Sequence, residues 1–374
     1  MTKITCAPLS LRYSRFSLIC LLLWALPPAS GQNIRDLKSK AEKGDVQAQL
    51  ALGKAYQNGE SVPKDYAEAA RWWQKAAEQG DTTAEYNLAT AYQSGRGVPR
   101  NYAAAVRWYR QAANRGHAGA QLGLALLYHL GMGLPKNDAE AAHWWEKAAD
   151  QGVAAAQFNL GTAYHLGRGV TKDDAESVRW YRKAAEQGDS AGQLNLGMAY
   201  INGAGIAKDE AEGAKWLRKS ADQGNSGGQL WLGVSYHTGV GVAKDDAESV
   251  RWYRKAAEQG LAPAQYNLGQ AYSSGAGVDK DLAEAARWWQ KAAEQGMPKA
   301  QFNLGLAYHT GAGVQKDDVE AYFWIDLAVA FLQDPFVKQS RDQIGQALTP
   351  AQLADAKERS RKWAEKHKGQ VSAQ

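Results

Sequence analysis

Hydrophobic and polar positions along most of this chain repeat with a period of 36 residues, without a single insertion or deletion. With Ala48 as position 1, eight units run from 48 to 335. The stretch DDAESVRWYRKAAEQG illustrates the period, because it occurs at 173–188 and again, two periods later, at 245–260. Self-similarity at this spacing is typical of solenoid proteins, in which each unit packs only on its neighbours.

The first half of each unit predicts a helix. Position 5 is Leu and position 9 is Tyr in all eight units, and residues four apart share one helix face. Position 6 is always Gly or Ala, which allows a neighbouring helix to approach closely. Position 12 is always Gly, which adopts the left-handed conformation after a helix at little cost, so we expect the first helix to end there.

The second half of each unit predicts a second helix. Position 18 is Asp or Asn in every unit, and Glu follows three residues later in seven, in the manner of a capping box. Position 25 is Trp in all eight units, with Ala or Ser four residues on, so we expect both to face the Leu and Tyr of the first helix. Because the Trp is present in every unit, core packing is favoured over an aromatic ligand cage. Gly at position 33 ends the helix in the first seven units.

Unit seven, AQYNLGQAYSSGAGVDKDLAEAARWWQKAAEQG at 264–296, resembles the Sel1-like repeat, a relative of the tetratricopeptide repeats. The resemblance covers all eight units and departs from the pattern in two places. Glu60 and Ser61 replace part of the Gly-x-Gly loop in unit one, and unit eight loses the pattern after Trp324. The resemblance implies an all-α, right-handed α-solenoid of helix-turn-helix repeats. It also implies an adaptor role in protein complexes, and exported bacterial members have been associated with envelope signalling and host interaction.

The two ends of the array are predicted to be caps, because terminal units lack a neighbour on one side. Residues 32–47 resemble the second helix of a missing unit. Residues 336–374 are predicted to form capping helices and a tail. Within them, Thr349 followed by Pro and then Gln at the third helical position predicts a helix that runs to about His367, with Trp363 on its buried side.

Residues 1–31 have the layout of a secretory signal peptide. Three cations precede an apolar run of eleven residues, 16–26, and small residues follow up to Gly31. A membrane-spanning helix would need about 20 apolar residues. We therefore expect cleavage after Gly31, an exported protein that is periplasmic or secreted, and no integral membrane segment in the mature chain.

The mature chain carries little that indicates catalysis. Both cysteines, Cys6 and Cys20, lie in the predicted leader, so disulfides, thiolate metal sites and a Cys nucleophile are excluded. Cleavage lowers the net charge from +5 to about +2, which gives no reason to expect nucleic acid as a partner. No metalloprotease, phosphate-binding or serine-hydrolase motif is present, and Ser61-x-x-Lys64 lacks the companion motifs of β-lactamases. We predict no catalytic residues, no cofactor and no metal site.

Position 4 of the first helix is the strongest indication of a binding site, because it lies on the face turned away from the predicted core. Asn is a poorer helix former than Ala or Gln, and its amide can both donate to and accept from a peptide backbone. In the related tetratricopeptide repeats this face lines the concave groove, where an Asn often holds the main chain of the ligand. The alternative, that the column bridges neighbouring helices, remains equally open. The Asn residues are Asn87, Asn159, Asn195, Asn267 and Asn303.

Two further features of the first helix are candidates for partner contact. Trp231 replaces Asn at position 4 of unit six, and we expect an exposed aromatic that could be a binding hot spot. Histidine recurs at position 10. The preferred interpretation is a solvent-facing polar row, a row that contacts a bound peptide comes second, and a metal site comes last. Adjacent first helices should be ~10 Å apart, too far for two such imidazoles to share a zinc ion. The four histidines are His129, His165, His237 and His309.

These patterns favour a non-enzymatic extracytoplasmic scaffold that binds a partner peptide or protein domain in a concave groove. The alternative is an envelope protein that binds peptidoglycan, or that hydrolyses peptidoglycan or β-lactams. A hydrolase would need a nucleophile or metal-ligand group that departs from the repeat, and the sequence shows none. Exposed Asp and Glu are plentiful, so a carboxylate pair remains possible.

Overall fold

A computed structural model describes residues 34–367, which form nineteen α-helices and no strand. The predicted leader at 1–31 lies outside these residues. The described chain falls into two compact units, 34–192 and 193–367, each of which contains repeats of the same helix-turn-helix kind. The all-α repeat fold predicted from the 36-residue period is therefore confirmed.

Each repeat contributes a first helix of thirteen residues and a second helix of twelve or thirteen. The first helices are α2 (Val46–Asn58), α4 (Thr82–Ser94), α6 (Ala118–Leu130), α8 (Ala154–Leu166), α10 (Ser190–Asn202), α12 (Ser226–Thr238), α14 (Ala262–Ser274) and α16 (Pro298–Thr310). The second helices are α3 (Tyr66–Glu78), α5 (Tyr102–Asn114), α7 (Asp138–Asp150), α9 (Asp174–Glu186), α11 (Glu210–Asp222), α13 (Asp246–Glu258), α15 (Leu282–Glu294) and α17 (Asp318–Val329). Before the array lies α1 (Ile34–Glu42), and after it lie α18 (Pro335–Ala347) and α19 (Pro350–Lys366).

The helix ends follow the predicted signals, with one difference. Gly at position 12 closes the first helices in the left-handed conformation, at φ 77° in Gly59. The side chain of Asp65 caps α3 by accepting two backbone N–H groups of its first turn. The reciprocal half of the capping box does not form, because the N–H of Asp65 donates to the carbonyl of Tyr56 at 2.9 Å. Glu68, the third residue of α3, pairs with Arg71 instead, at 3.2 Å.

The apolar core of each repeat lies between its two helices. Leu at position 5 is at most 1% exposed in all eight repeats, and Trp at position 25 is buried in six of them and half-buried at Trp216 and Trp288. Position 26 is a further core column, since it is buried in every repeat. Where position 6 is Gly, the side chain at position 26 lies directly over it, so a Cβ added at Gly53 would be 2.4 Å from Nε1 of Trp73. The position-26 residues are Trp73, Tyr109, Trp145, Tyr181, Leu217, Tyr253, Trp289 and Ile325.

Within each of the two units, a buried Gln column at position 2 joins several repeats to the second helix that precedes them. Gln121, at position 2, donates to the carbonyl of Ala113 at 3.2 Å, and Gln151, at position 32, donates to Oε1 of Gln121 at 2.7 Å. The buried amide is thereby paired on both sides, as buried polar groups generally are. The same two bonds recur at Gln49, Gln157, Gln229 and Gln265.

The flanking helices complete this packing at the two ends of the array. In α1 the carbonyl of Ala41 accepts from Gln49 at 3.0 Å, the bond that a preceding second helix provides elsewhere. At the other end, Thr349 and Gln352 form the predicted capping box of α19, which ends at Lys366. Trp363 of α19 is half-buried against a cluster that includes Trp324, as its spacing predicts.

One helix cap depends on a titratable ring. Nδ1 of His117 accepts the N–H of Ala120 at 3.2 Å at the start of α6, and the ring stacks on Tyr86 with 4.7 Å between centroids. Burial lowers the pKa of His117, and the nearby carboxylate of Asp81 only partly opposes this effect. An imidazole can accept at Nδ1 only when that nitrogen carries no proton, so the cap exists only in the neutral form.

We expect this cap to make the protein less stable in mild acid. Because the folded-state pKa of His117 is lowered, stability is full above the unfolded value near 6.5 and is lost as pH falls through the folded value. The variant His117→Asn, which copies the cap that Asn225 provides to α12, should remove this loss of about 1 kcal/mol. The check is urea unfolding of both proteins at about pH 5 and about pH 7.5. An identical pH dependence in the two would contradict the assignment.

Candidate interaction surface

The predicted binding residues lie on the side of the first helices opposite the buried Leu at position 5. We call this surface the first-helix face and define it by positions 3, 4, 7, 10 and 11 of α2, α4, α6, α8, α10, α12, α14 and α16. Most of its side chains are half-buried or exposed. Position 3 is apolar or aromatic in every repeat, so a polar column at position 4 runs beside an apolar one.

In the unit formed by residues 193–367, the Asn column takes part in contacts within the protein. Nδ2 of Asn303 donates to Oε1 of Gln270, at position 7 of the preceding first helix, at 2.8 Å. Asn267 lies beside the phenol of Tyr253 on the preceding second helix, and burial raises the pKa of that phenol to about 12. These two residues fit the alternative that the Asn column bridges helices inside the solenoid.

In the unit formed by residues 34–192, Asn87 and Asn159 differ from this pattern. Both side chains are half-buried, and neither makes a side-chain hydrogen bond within the described residues. The contact between Asn303 and Gln270 shows that position 4 faces position 7 of the preceding first helix. For Asn159 that neighbour is Leu126, which offers no polar atom. The amide of Asn159 therefore stays available to a bound chain.

The other candidates at position 4 also have defined surroundings. Asn195 occupies position 4 of α10 and is half-buried. Trp231 is half-buried, in contrast to the exposed position that the sequence predicts. Its ring packs against an apolar cluster that includes Leu194 and Met198, which occupy positions 3 and 7 of the preceding first helix. Because apolar side chains lie on that side, the indole covers them rather than extending into solvent.

The four histidines at position 10 form clasps within their own repeats. Each Nδ1 lies 2.6–2.8 Å from a carboxylate oxygen of the Asp at position 19, so the end of the first helix is tied to the start of the second. Repeats that lack the histidine also lack this Asp, which argues for a paired structural role. The pairs are His129–Asp138, His165–Asp174, His237–Asp246 and His309–Asp318.

Electrostatics within a clasp favour the ionised carboxylate. Partial burial raises the pKa of Asp138, but the hydrogen bond from His129 and the charge of Lys136 lower it more, so the net pKa is below its usual range. Lys136 lies 3.4 Å from the second carboxylate oxygen. Since His129 is 21% exposed and His237 is 53% exposed, parts of these rings remain accessible on the first-helix face.

Two exposed leucines on the first-helix face were not singled out by the sequence. Leu130 and Leu166 occupy position 11 in consecutive repeats and are 38% and 36% exposed. Position 11 is Asn, Ser or Thr in every other repeat, and this departure from the pattern is the signal that could have identified them. The other large apolar side chains with comparable exposure in the described residues, Phe331 and Phe336, lie beyond the second helix of the last repeat.

The described residues contain neither a metal-ligand group nor a membrane-spanning helix. Within 34–367, no three His, Cys, Asp or Glu side chains are grouped so that they could hold a metal ion. Across the same range, every helix is too short or too polar to cross a membrane.

The repeat itself decides the family. The family model for the Sel1 repeat matches eight consecutive segments, at 46–81, 82–117, 118–153, 154–189, 190–225, 226–261, 262–297 and 298–330. The chain belongs to the Sel1 repeat family. Proteins built from Sel1 repeats generally act as non-catalytic scaffolds for protein–protein interaction.

Solved structures of other Sel1 repeat proteins are similar to this chain. A Sel1 repeat protein from Oxalobacter formigenes is 32% identical, with 84% of this chain and 92% of that chain covered and a TM-score of 0.65. A protective antigen of uropathogenic Escherichia coli strains is 34% identical, with 91% and 88% covered and a TM-score of 0.49. The Oxalobacter structure supports assignment of the solenoid fold.

A local match also exists to the secretory immunoglobulin A-binding protein EsiB of Escherichia coli O6:H1. It is 41% identical over 54 residues, which span 14% of this chain and 11% of that relative. The similarity therefore extends over one to two repeats.

Proposed function

We propose that this protein is an exported, non-enzymatic scaffold that binds a segment or domain of another protein on its first-helix face. The observation that carries the proposal is the burial and hydrogen bonding of the side-chain amides of Asn87 and Asn159. Both amides are half-buried on this face and have no side-chain hydrogen bond within the described residues. A partly desolvated amide gains from a bound peptide group, which offers one donor and one acceptor.

Export is supported by the layout of residues 1–31. A protein as partner is consistent with the printed name of the Escherichia coli relative, which describes binding to an immunoglobulin. The accessible parts of His129, His165, His237 and His309 would add polar contacts beside the Asn column.

Affinity capture with matched variants tests the proposal. The double variant Asn87→Ala/Asn159→Ala is compatible with the helix, because Ala51 occupies the same position in repeat one. It should retain a partner from envelope extract about tenfold less well than the wild-type chain. The control Trp231→Asn copies the residue found at position 4 in five other repeats, and circular dichroism confirms that the variants are folded.

The possible outcomes separate the alternatives. A discrete protein that the wild type retains and the double variant loses supports the scaffold. Equal retention by both would show that the Asn residues do not bind the partner, and retention lost only with Trp231→Asn would move the site to the other unit. Elution of glycan fragments, or hydrolysis of nitrocefin or peptidoglycan by the purified chain, would support the peptidoglycan alternative instead.

A further inference from the structure

Within repeats two to four, two neighbouring places depart from the pattern of the other repeats, one on the first-helix face of repeats three and four and one in the loops that follow the first helices. The first is position 11, where Leu130 and Leu166 are exposed. On α8, Leu166 shares one helix face with Asn159, seven residues before it, and Thr162 lies between them. On α6, Leu126 and Leu130 lie four residues apart on the same side. An apolar patch therefore lies beside the amide of Asn159, which has no side-chain hydrogen bond to the described residues.

The second place is the loop that begins just after position 11. In repeats two to four these loops carry five cations and no acid: Arg96, Arg100, Lys136, Arg168 and Lys172. The four corresponding loops of repeats five to eight carry a single Lys each and no Arg, and position 13 there is Ala or Val. Arg168 follows Leu166 by two residues and makes no ion pair within the described residues.

The carboxylates closest in sequence to these loops do not neutralise the cations fully. Asp173 caps α9 by accepting two backbone N–H groups, and Asp138 and Asp174 are held by the His clasps. Lys136 and Lys172 share these clasps at 3.4 and 3.7 Å, whereas the arginines have no carboxylate partner in the described residues. The rim of the apolar patch is therefore positively charged.

We infer that the first-helix face of repeats two to four binds an extended, acidic peptide segment of a partner protein. The exposed leucines would contact apolar side chains of the segment, Asn87 and Asn159 would hold its main chain, and the loop cations would attract its carboxylates. The inference rests on the proposed function and specifies where the partner binds and what its chemistry is. A nucleic acid or a purely anionic glycan would use the cations alone and leave the leucines without a partner.

Selection from a phage-displayed library of random peptides, with the purified full chain as bait, tests this directly. We expect the enriched peptides to combine Asp or Glu with at least two large apolar residues. The best sequence, made as a synthetic peptide, is then titrated by fluorescence anisotropy against variants that copy residues of other repeats. Leu130→Thr/Leu166→Thr copies Thr238 and Thr310. Arg96→Ala/Arg168→Ala copies the Ala at position 13 of repeats five, seven and eight.

Each double variant should weaken binding about tenfold. The arginine variant should also reduce the salt dependence, because screening acts only on the charge contribution. The matched control, Thr238→Ala/Thr310→Ala, changes the same helix position in the other unit and should bind as the wild type does.

Other outcomes would overturn the inference. Enriched peptides that are basic would refute it and leave the scaffold function intact. The same holds for peptides whose binding is weakened by Thr238→Ala/Thr310→Ala but not by the leucine variant. Polyglutamate that binds as tightly as the selected peptide would show that charge alone accounts for binding. If no peptide is enriched although affinity capture yields a partner sensitive to Asn87 and Asn159, the ligand is a folded domain rather than a segment. Failure of both experiments would reject the proposed function as well.

Discussion

Replacing Gly169 with alanine is expected to destabilise the protein by about 3 kcal/mol or more. Gly169 is the second glycine of its loop, at position 14, and has φ +73°, where an L-residue pays about 1–2 kcal/mol. A Cβ there would lie 2.0 Å from the carbonyl oxygen of Asp138, at the start of the second helix of the preceding repeat. Backbone atoms cannot move aside as a side chain can, so the clash adds to the conformational cost.

The chain provides a matched control for this substitution. Gly152 has φ +86° but no atom within 4 Å of an added Cβ, so Gly152→Ala should cost only the conformational part, about 1 kcal/mol. Urea unfolding followed by circular dichroism compares the two variants with the wild type. Equal losses would mean that the close approach between repeats is unimportant at position 14.

The second large effect is expected at the ion pair that replaces the buried Gln pair in repeat two. Glu85 is 1% exposed, and its Oε1 lies 2.9 Å from Arg115. Arg115→Ala leaves this carboxylate without a partner and should cost about 3 kcal/mol near neutral pH. The double variant Glu85→Gln/Arg115→Gln restores the pair used by Gln121 and Gln151, so it should lie within about 1 kcal/mol of the wild type.

The pH dependence of Arg115→Ala follows from the same contact. Burial raises the pKa of Glu85, although the charge of Arg115 opposes this effect. A carboxyl with a raised folded-state pKa contributes stability that is present in acid and is lost as pH rises through that pKa. The loss in Arg115→Ala should therefore be smaller at about pH 5 than at about pH 7.5, whereas the Gln double variant should not show this dependence. Equal loss in the single and double variants would contradict the account.

The fold could be predicted because its main determinants lie within one repeat. Leu at position 5, Gly at position 12 and Asp or Asn at position 18 act through the helix to which they belong or the next one, and periodicity reveals them directly. The buried Gln column at position 2 and its partners at position 32 were not predicted, because a Gln in a helix is usually on the surface. The carbonyl of Ala113 in the preceding repeat and the amide of Gln151 together make the burial of Gln121 favourable.

The candidate site was predicted in outline but not in its details. The Asn column could be found from the period, but the contacts of Asn159 and Asn303 depend on position 7 of the repeat before each of them. That residue is Gln270 beside Asn303, which gives a hydrogen bond, and Leu126 beside Asn159, which gives none. The sequence also contained an unused signal, since His at position 10 occurs only in repeats with Asp at position 19.

Photo-crosslinking in the living cell tests the central claim most directly, namely that the first-helix face is the partner-binding surface. A photoreactive side chain is placed at Leu166 on the first-helix face or at Arg179, an exposed position on the second helix of the same repeat. The account predicts a discrete crosslinked protein from the Leu166 position and none from the Arg179 position. A crosslink from Arg179 alone would contradict it and would place the partner on the opposite side of the repeats.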